Sequence, residues 1–483
     1  MKIEHGNKHL GVNPYLPSWE YVPDGEPRVF GNRVYVYGSH DRVRGEDYCM
    51  EDYVVWSAPL DDLGDWRYEG IVYRRDQDPD NPDGHARMYA PDVVQGPDGR
   101  YYMYYGTSVI EYTGVAVSDS PAGPFEYYGK VLNPDGSHIA GVEFDPGVLV
   151  QGENVYLYYG FSPEAEYPLT GNFSILKEIM PGAYVVKLDK DMKTAVSDAV
   201  MVANGWSSAK GTCFEEHPFF EASSVRYIKG KYYFVYSSLQ GHELCYAISD
   251  SPFGPFEFGG VIISNGDVGI TDIPRAYMGN NHGGIAYMNG EYYIFYHRHT
   301  HGIQFCRQGC AEKMQILEDG RIPQVEMTSC GLNQGALPAD EEYPAYIICN
   351  LSGPDVPYVI PYGTEYDTSV PRLVETEEER KEDRTMYLTN ICSPSVCGVK
   401  YLQFNGENEV CITYKGGAGK IYVSLDSEKN VPVAVVDVEK TENWKTQCTE
   451  MEKQEGIHAV FFRFLPDNET MDFGRFQFSK KDE

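Results

Sequence analysis

Between residues 10 and 335 apolar and polar positions alternate with a period of two in short runs, and one such run recurs five times. The copies are GNRVYVYGS from Gly31, DGRYYMYYG from Asp98, GENVYLYYG from Gly152, KGKYYFVYS from Lys229 and NGEYYIFYH from Asn289. A period of two sends successive side chains to opposite faces of an extended chain, so each copy predicts a strand. Each follows a second apolar run (PRVF, PDVVQ, PGVLV, SSVRYI and GGIAYM), and the turn residues between the two predict a hairpin. Repeats spaced roughly 50 to 80 residues apart are too irregular for a solenoid and suit propeller blades with inserted loops. Later runs such as YVVWSAPL and GAYVVKLDK supply further strands, and the near-duplicates SDSPAGPFE at Ser118 and SDSPFGPFE at Ser249 predict one shared outer turn. Helical periodicity is confined to NFSILKEIM from Asn172.

The pattern then changes. LPADEEYP and the charged run VETEEERKEDR predict a solvated connecting region over 336–385, and short strands from MYLTNI at Met386 to GRFQFS predict a β-sandwich over 386–483. The expected fold is all-β: a five-bladed β-propeller over 1–335, with five four-stranded blades, followed by a C-terminal β-sandwich.

Composition narrows the function classes. With 40 Lys plus Arg against 72 Asp plus Glu, the net charge of −32 argues against nucleic acid or an anionic membrane surface as partner. No segment approaches the roughly 20 apolar residues of a membrane span, and the first residues lack the apolar run of a signal sequence, so a cytoplasmic location is expected. Self-association is left open. Eleven cysteines without zinc-like spacing read as reduced core residues, with Cys213, Cys245 and Cys306 in apolar, strand-like surroundings. The 40 tyrosines suit surfaces that stack on and hydrogen-bond to a neutral ligand.

In a propeller the start of each blade's first strand faces the axis. Asp24, Asp92 and Glu221 occupy that place in their repeats; Asp145 in FDPGVL is the third repeat's equivalent of Asp92, and His282 occupies the fifth. A turn role would explain any one of them, but converging carboxylates repel, which costs stability unless a function uses the arrangement. Hydrolysis of a glycosidic bond is such a use: it needs one protonated carboxyl for the leaving oxygen and one ionised carboxylate to activate water or attack the sugar.

These stretches, from YVPDGEPRVFGNRVYVYGSHDR through YAPDVVQGPDGRYYMYYG, FDPGVLVQGENVYLYYG, FFEASSVRYIKGKYYFVYSS and NNHGGIAYMNGEYYIFYHRH to CAEKMQILEDGRIPQVEMTSCG, resemble glycoside hydrolase family 43 in order. The resemblance implies a five-bladed propeller and an inverting glycosidase, with Asp24 as general base, Asp92 tuning and orienting the proton donor, and Glu221 as general acid. It also implies Tyr89, Asp145, His282 and Arg307 as sugar-binding residues, with His282 on the propeller axis, where some relatives hold calcium; no cofactor is otherwise required. Inversion calls for base and acid carboxyls roughly 6.5 to 9.5 Å apart. The flanks Asp24-Gly25-Glu26 and Glu221-Ala222-Ser223 depart from the family's usual Asp-Pro-Ser and Glu-Gly-Pro, which makes Glu26 a rival base. The C-terminal region is similar to family 6 carbohydrate-binding modules, with Trp444 as a sugar platform or a packing residue. The expected partner is an oligosaccharide and the expected activity exo-acting release of a terminal pentose, α-L-arabinofuranose ahead of β-D-xylose. A non-catalytic sugar-binding propeller is the alternative of another class, and a phosphorylase would need Arg275, Arg298 and Arg307 to cluster.

Overall fold

A computed structural model describes residues 2–5, 8–108, 112–164, 180–356, 358–360 and 369–481; the helix expected from Asn172 lies outside them. The repeats form blades. The inner strands Glu26–Phe30, Met88–Gln95, Gly147–Gln151, Phe219–Ile228 and Ile285–Met288 each pair antiparallel with the tyrosine-rich strand of the same repeat. Apolar side chains on both sheet faces pack against the next blade: Tyr158, Phe234 and Phe256 fill the space between blades three and four, and Val34, Val36 and Phe295 that between one and five.

Blades one to four have four strands each, but the fifth has three rather than the four expected. The N-terminal segment covers its open edge. Asn13 accepts the Ala311 N–H through Oδ1 at 2.9 Å and donates to the Ala311 carbonyl through Nδ2 at 3.0 Å, and Tyr15 N–H donates to the Gly309 carbonyl. The ring closes where Gly25 and Gly283 form a parallel bridge; a Cβ on Gly283 would lie 1.9 Å from the Phe295 carbonyl oxygen, so only glycine fits. The two SDSP copies make the same turn, with Ser120 N–H on Ser118 Oγ and Ser251 N–H on Ser249 Oγ, both at 3.1 Å.

Beyond the propeller two six-stranded sheets enclose a core that includes Phe404, Phe462, Phe464, Phe473 and Phe476. Residues 336–385 are not a connecting region. Leu337–Pro338, Tyr343–Pro344, Asn350–Ser352 and Arg372–Glu375 are strands of these sheets, and Leu337, Tyr343, Ile347 and Leu373 are core residues; among the described residues the exposed charged stretch is 377–383. The charged run dominated the sequence signal there, although the short apolar pairs beside it find partners in distant strands.

Two readings of the cysteines are corrected. Cys411 and Cys448, opposite each other on neighbouring strands, form a disulfide, and Cys213 is exposed rather than core. The pairing depends on register across 37 residues, which spacing alone does not reveal.

The two domains share one core, in which Val12 and Tyr277 of the propeller join the sandwich residues. Buried polar contacts cross the same boundary. Arg298 donates to the carbonyls of Ile348 and Tyr346 at 2.9 and 2.8 Å, Lys400 reaches Glu326 at 2.7 Å, and Glu375 takes hydrogen bonds from Tyr21 and His301. Arg298→Leu would leave two buried carbonyls without their charged donor, a loss of about 2 to 3 kcal/mol. The expected outcome is a lower melting temperature for the whole chain in thermal unfolding; an unchanged value would contradict this account of the interface.

Candidate active site

The N-terminal ends of the inner strands surround a cavity of about 320 Å³ whose lining includes Asp24, Tyr89, Asp145, Glu221, His282 and Arg307. Residues at or beside the three acids adopt left-handed backbone, with φ 57° at Asp24, 47° at Asp145 and 70° at Ala222. This conformation costs non-glycine residues about 1 to 3 kcal/mol each, and it turns each acid off its strand into the cavity mouth.

Asp24 is held on two sides. Arg307 Nη1 donates to both its oxygens at 2.9 and 3.2 Å, and its own N–H donates to His297 Nδ1 at 3.3 Å. His297 therefore carries its proton on Nε2, which donates to the Asn280 carbonyl at 2.6 Å. Burial pushes the Asp24 carboxyl up, but the Arg307 guanidinium and the neighbouring histidines outweigh it and hold the group below its usual range. Arg307 is itself fixed by Asp41, which accepts Nε and Nη2, both at 2.9 Å, and its guanidinium lies 4.9 Å from the Tyr48 ring.

Glu221 and Asp145 move the other way. Burial first and the Asp24 charge second raise the Glu221 carboxyl to about 8. Burial, then Glu221 and Asp24, raise Asp145 as well, against a hydrogen bond from Ala222 N–H at 3.1 Å. One buried mouth thus contains a carboxylate held low, Asp24, and a carboxyl raised to about 8, Glu221, the division of labour acid–base chemistry requires.

Asp92, expected to tune the donor, does not line this cavity. Arg28 clamps it through Nε at 2.9 Å and Nη2 at 2.5 Å, and Val148 N–H donates to it at 2.8 Å. Val148 lies past Asp145 on the neighbouring inner strand, so Asp92 sits deeper along the axis than Asp145. The cause is local: in YAPDVV the proline precedes the acid and Ala90 takes the cavity position, whereas in FDPGVL the acid precedes the proline. Glu26, the rival base, is also in this deeper tier, bonded to Arg226 at 2.6 Å. Nor do the three arginines cluster: Arg275 pairs with Glu428 and Arg298 lies in the domain boundary, so only Arg307 reaches the cavity.

Several lining residues escaped the sequence reading. Phe144, Phe161 and Phe220 pack together around Tyr89 beside the acids, and Gln240, Gln304, Val359 and Ile360 line the cavity with them. Asp41 follows the first tyrosine strand in GSHD, outside the period-two pattern, so nothing in the alternation singled it out. His282 has Nδ1 3.5 Å from Asp145 Oδ2, and its Nε2 is buried without a hydrogen-bond partner. That nitrogen offers one ligand; among the described residues no trio of ligating side chains gathers around it, whereas calcium takes six to eight oxygens. In the sandwich, Trp444 is 41% exposed, rests on Gly474 and has the Lys415 ammonium 4.9 Å from its ring.

The chain is 45% identical over 463 residues to a xylosidase/arabinosidase from Thermoclostridium stercorarium, covering 94% of this chain and 95% of the relative. Among solved structures, a family 43 arabinoxylan arabinofuranohydrolase from Bacillus subtilis, crystallised with cellotetraose, superposes over 98% of this chain and 99% of its own, with a TM-score of 0.51; at 22% identity it speaks to the fold of both domains. A β-xylosidase/α-arabinofuranosidase from a compost microbial metagenome, solved with xylotriose in a calcium-free form, is 25% identical over 65% of this chain and 97% of its own, with a TM-score of 0.51. The sequence profile of glycosyl hydrolases family 43 matches residues 26–322, and the chain belongs to that family of glycoside hydrolases.

Proposed function

We propose that the protein is an inverting exo-glycosidase that releases terminal pentosyl residues, α-L-arabinofuranosyl or β-D-xylosyl, from oligosaccharides. The observation that carries the reading is the single cavity in which Asp24 is held ionised by Arg307 while Glu221 retains its proton. Asp24 takes a proton from water as the water oxygen bonds to the anomeric carbon. Glu221 gives its proton to the glycosidic oxygen as the bond to that carbon breaks, and the sugar leaves with inverted configuration. Asp145, beside Glu221, takes the tuning role expected of Asp92. Support for a pentose comes from the xylosidase/arabinosidase name of the 45%-identical relative.

Asp24→Ala and Glu221→Ala should each lower kcat/KM on aryl arabinofuranoside and xyloside by about 10² to 10⁴. Near-normal turnover in either variant would sink the assignment, and NMR of the first-formed anomer tests inversion directly.

The pH profile separates the two tiers of acids. Glu221 works protonated, so kcat/KM should fall as pH rises through about 8, while the Asp24 limb lies below the ordinary carboxylate range. Asp145→Asn removes an acid that shares protons with Glu221, and the alkaline limb should move to lower pH. Asp92→Asn should leave that limb in place and instead destabilise the fold by about 3 to 5 kcal/mol, because Arg28 keeps a buried charge without its partner. A limb that moved with Asp92 and not with Asp145 would reverse the two roles.

A further inference from the structure

The segment around Val359 belongs to the C-terminal half of the chain, yet Val359 and Ile360 line the catalytic cavity. They are anchored there by backbone. Met278 N–H donates to the Tyr358 carbonyl at 2.6 Å, Ile360 N–H donates to the Met278 carbonyl at 3.0 Å, and Met278 and Val359 form a parallel bridge. Gln304 adds a side-chain bond to the Ile360 carbonyl. Met278 leads directly into Gly279, Asn280 and His282, which line the same cavity, so the propeller segment that presents His282 and the strip that presents Val359 form one unit.

Position along the cavity gives these residues a task. Asp24 and Asp145 are buried at 5% and 4% exposure, and Arg307 at 1%, so the reacting sugar goes in at that end; Glu221, the proton donor to the leaving oxygen, is more accessible. Whatever is attached to that oxygen must therefore extend toward the mouth. Val359 is there, 65% exposed, an apolar side chain presented to solvent beside a polar pocket. The C–H face of a sugar ring would cover it, and the wall is completed from blade four by Leu239 and Gln240.

Resting on the hydrolase reading above, we propose that Val359 is a specificity-determining residue: it packs against the first sugar ring of the leaving group, so that the C-terminal domain supplies the leaving-group side of the site. Sugar-bearing leaving groups gain from this contact; a methyl leaving group is too short to reach it.

The test compares kcat/KM for a pentose trisaccharide and for the methyl pentoside, followed by released pentose, in wild type, Val359→Ser and Val359→Leu. Val359→Ser exchanges two methyl groups for a hydroxyl, so the apolar contact is lost, and should lower the trisaccharide-to-methyl ratio about tenfold, the scale at which pockets discriminate small apolar groups. Val359→Leu should restore it. An unchanged ratio in Val359→Ser, or a lowered ratio that leucine does not restore, overturns the proposal. Wild-type protein inert on both substrates overturns the hydrolase reading and this one with it, whereas an unchanged ratio overturns this one alone.

Discussion

Arg307 lies between Asp41 and Asp24 at the mouth of the propeller axis, almost wholly removed from water. Five inner strands converging on one axis force side chains of equal height against one another, and in low dielectric each unpaired charge there is costly. One guanidinium faces four acids, Asp24, Asp41, Asp145 and Glu221. It holds Asp24 low, while burial first and the neighbouring acid charges second raise Glu221 and Asp145. Carboxyls of one mouth differ in proton affinity because burial weighs on all of them and the Arg307 charge reaches them unequally.

The deeper tier makes the contrast. There Glu26 and Asp92 meet Arg226 and Arg28, two acids with two arginines, and each acid is bonded to its own partner. Charges balance there, two against two. The two acidic tiers on one axis differ in depth along the inner strands and in the number of arginines that face them.

The C-terminal sandwich is integrated into this arrangement rather than appended to it. Its core continues into propeller residues, Glu375 accepts from Tyr21 and His301, and the strip at Val359 runs beside the strand that leads to His282. A module that stabilises the propeller also frames the cavity, so its loss would be felt at the site as well as in stability.

Alternation with a period of two, repeated five times with the turn residues between, was enough to read blades, hairpins and a separate sandwich, because strand geometry is a local property of the chain. The recurrence of acids at strand starts was enough to find Asp24, Glu221 and Asp145, and to suspect glycoside chemistry. Depth along the axis was missed: set on their prolines, YAPDVV and FDPGVL match Ala90 rather than Asp92 to Asp145, and the bonds of Asp92 to Val148 and Arg28 put it in the arginine tier. The same limit explains the strands hidden in 336–385, the Cys411–Cys448 pair and the arrival of Val359 at the cavity. Each depends on which distant residues become neighbours, and a pattern along the chain carries no record of that until the sheets close around a common axis.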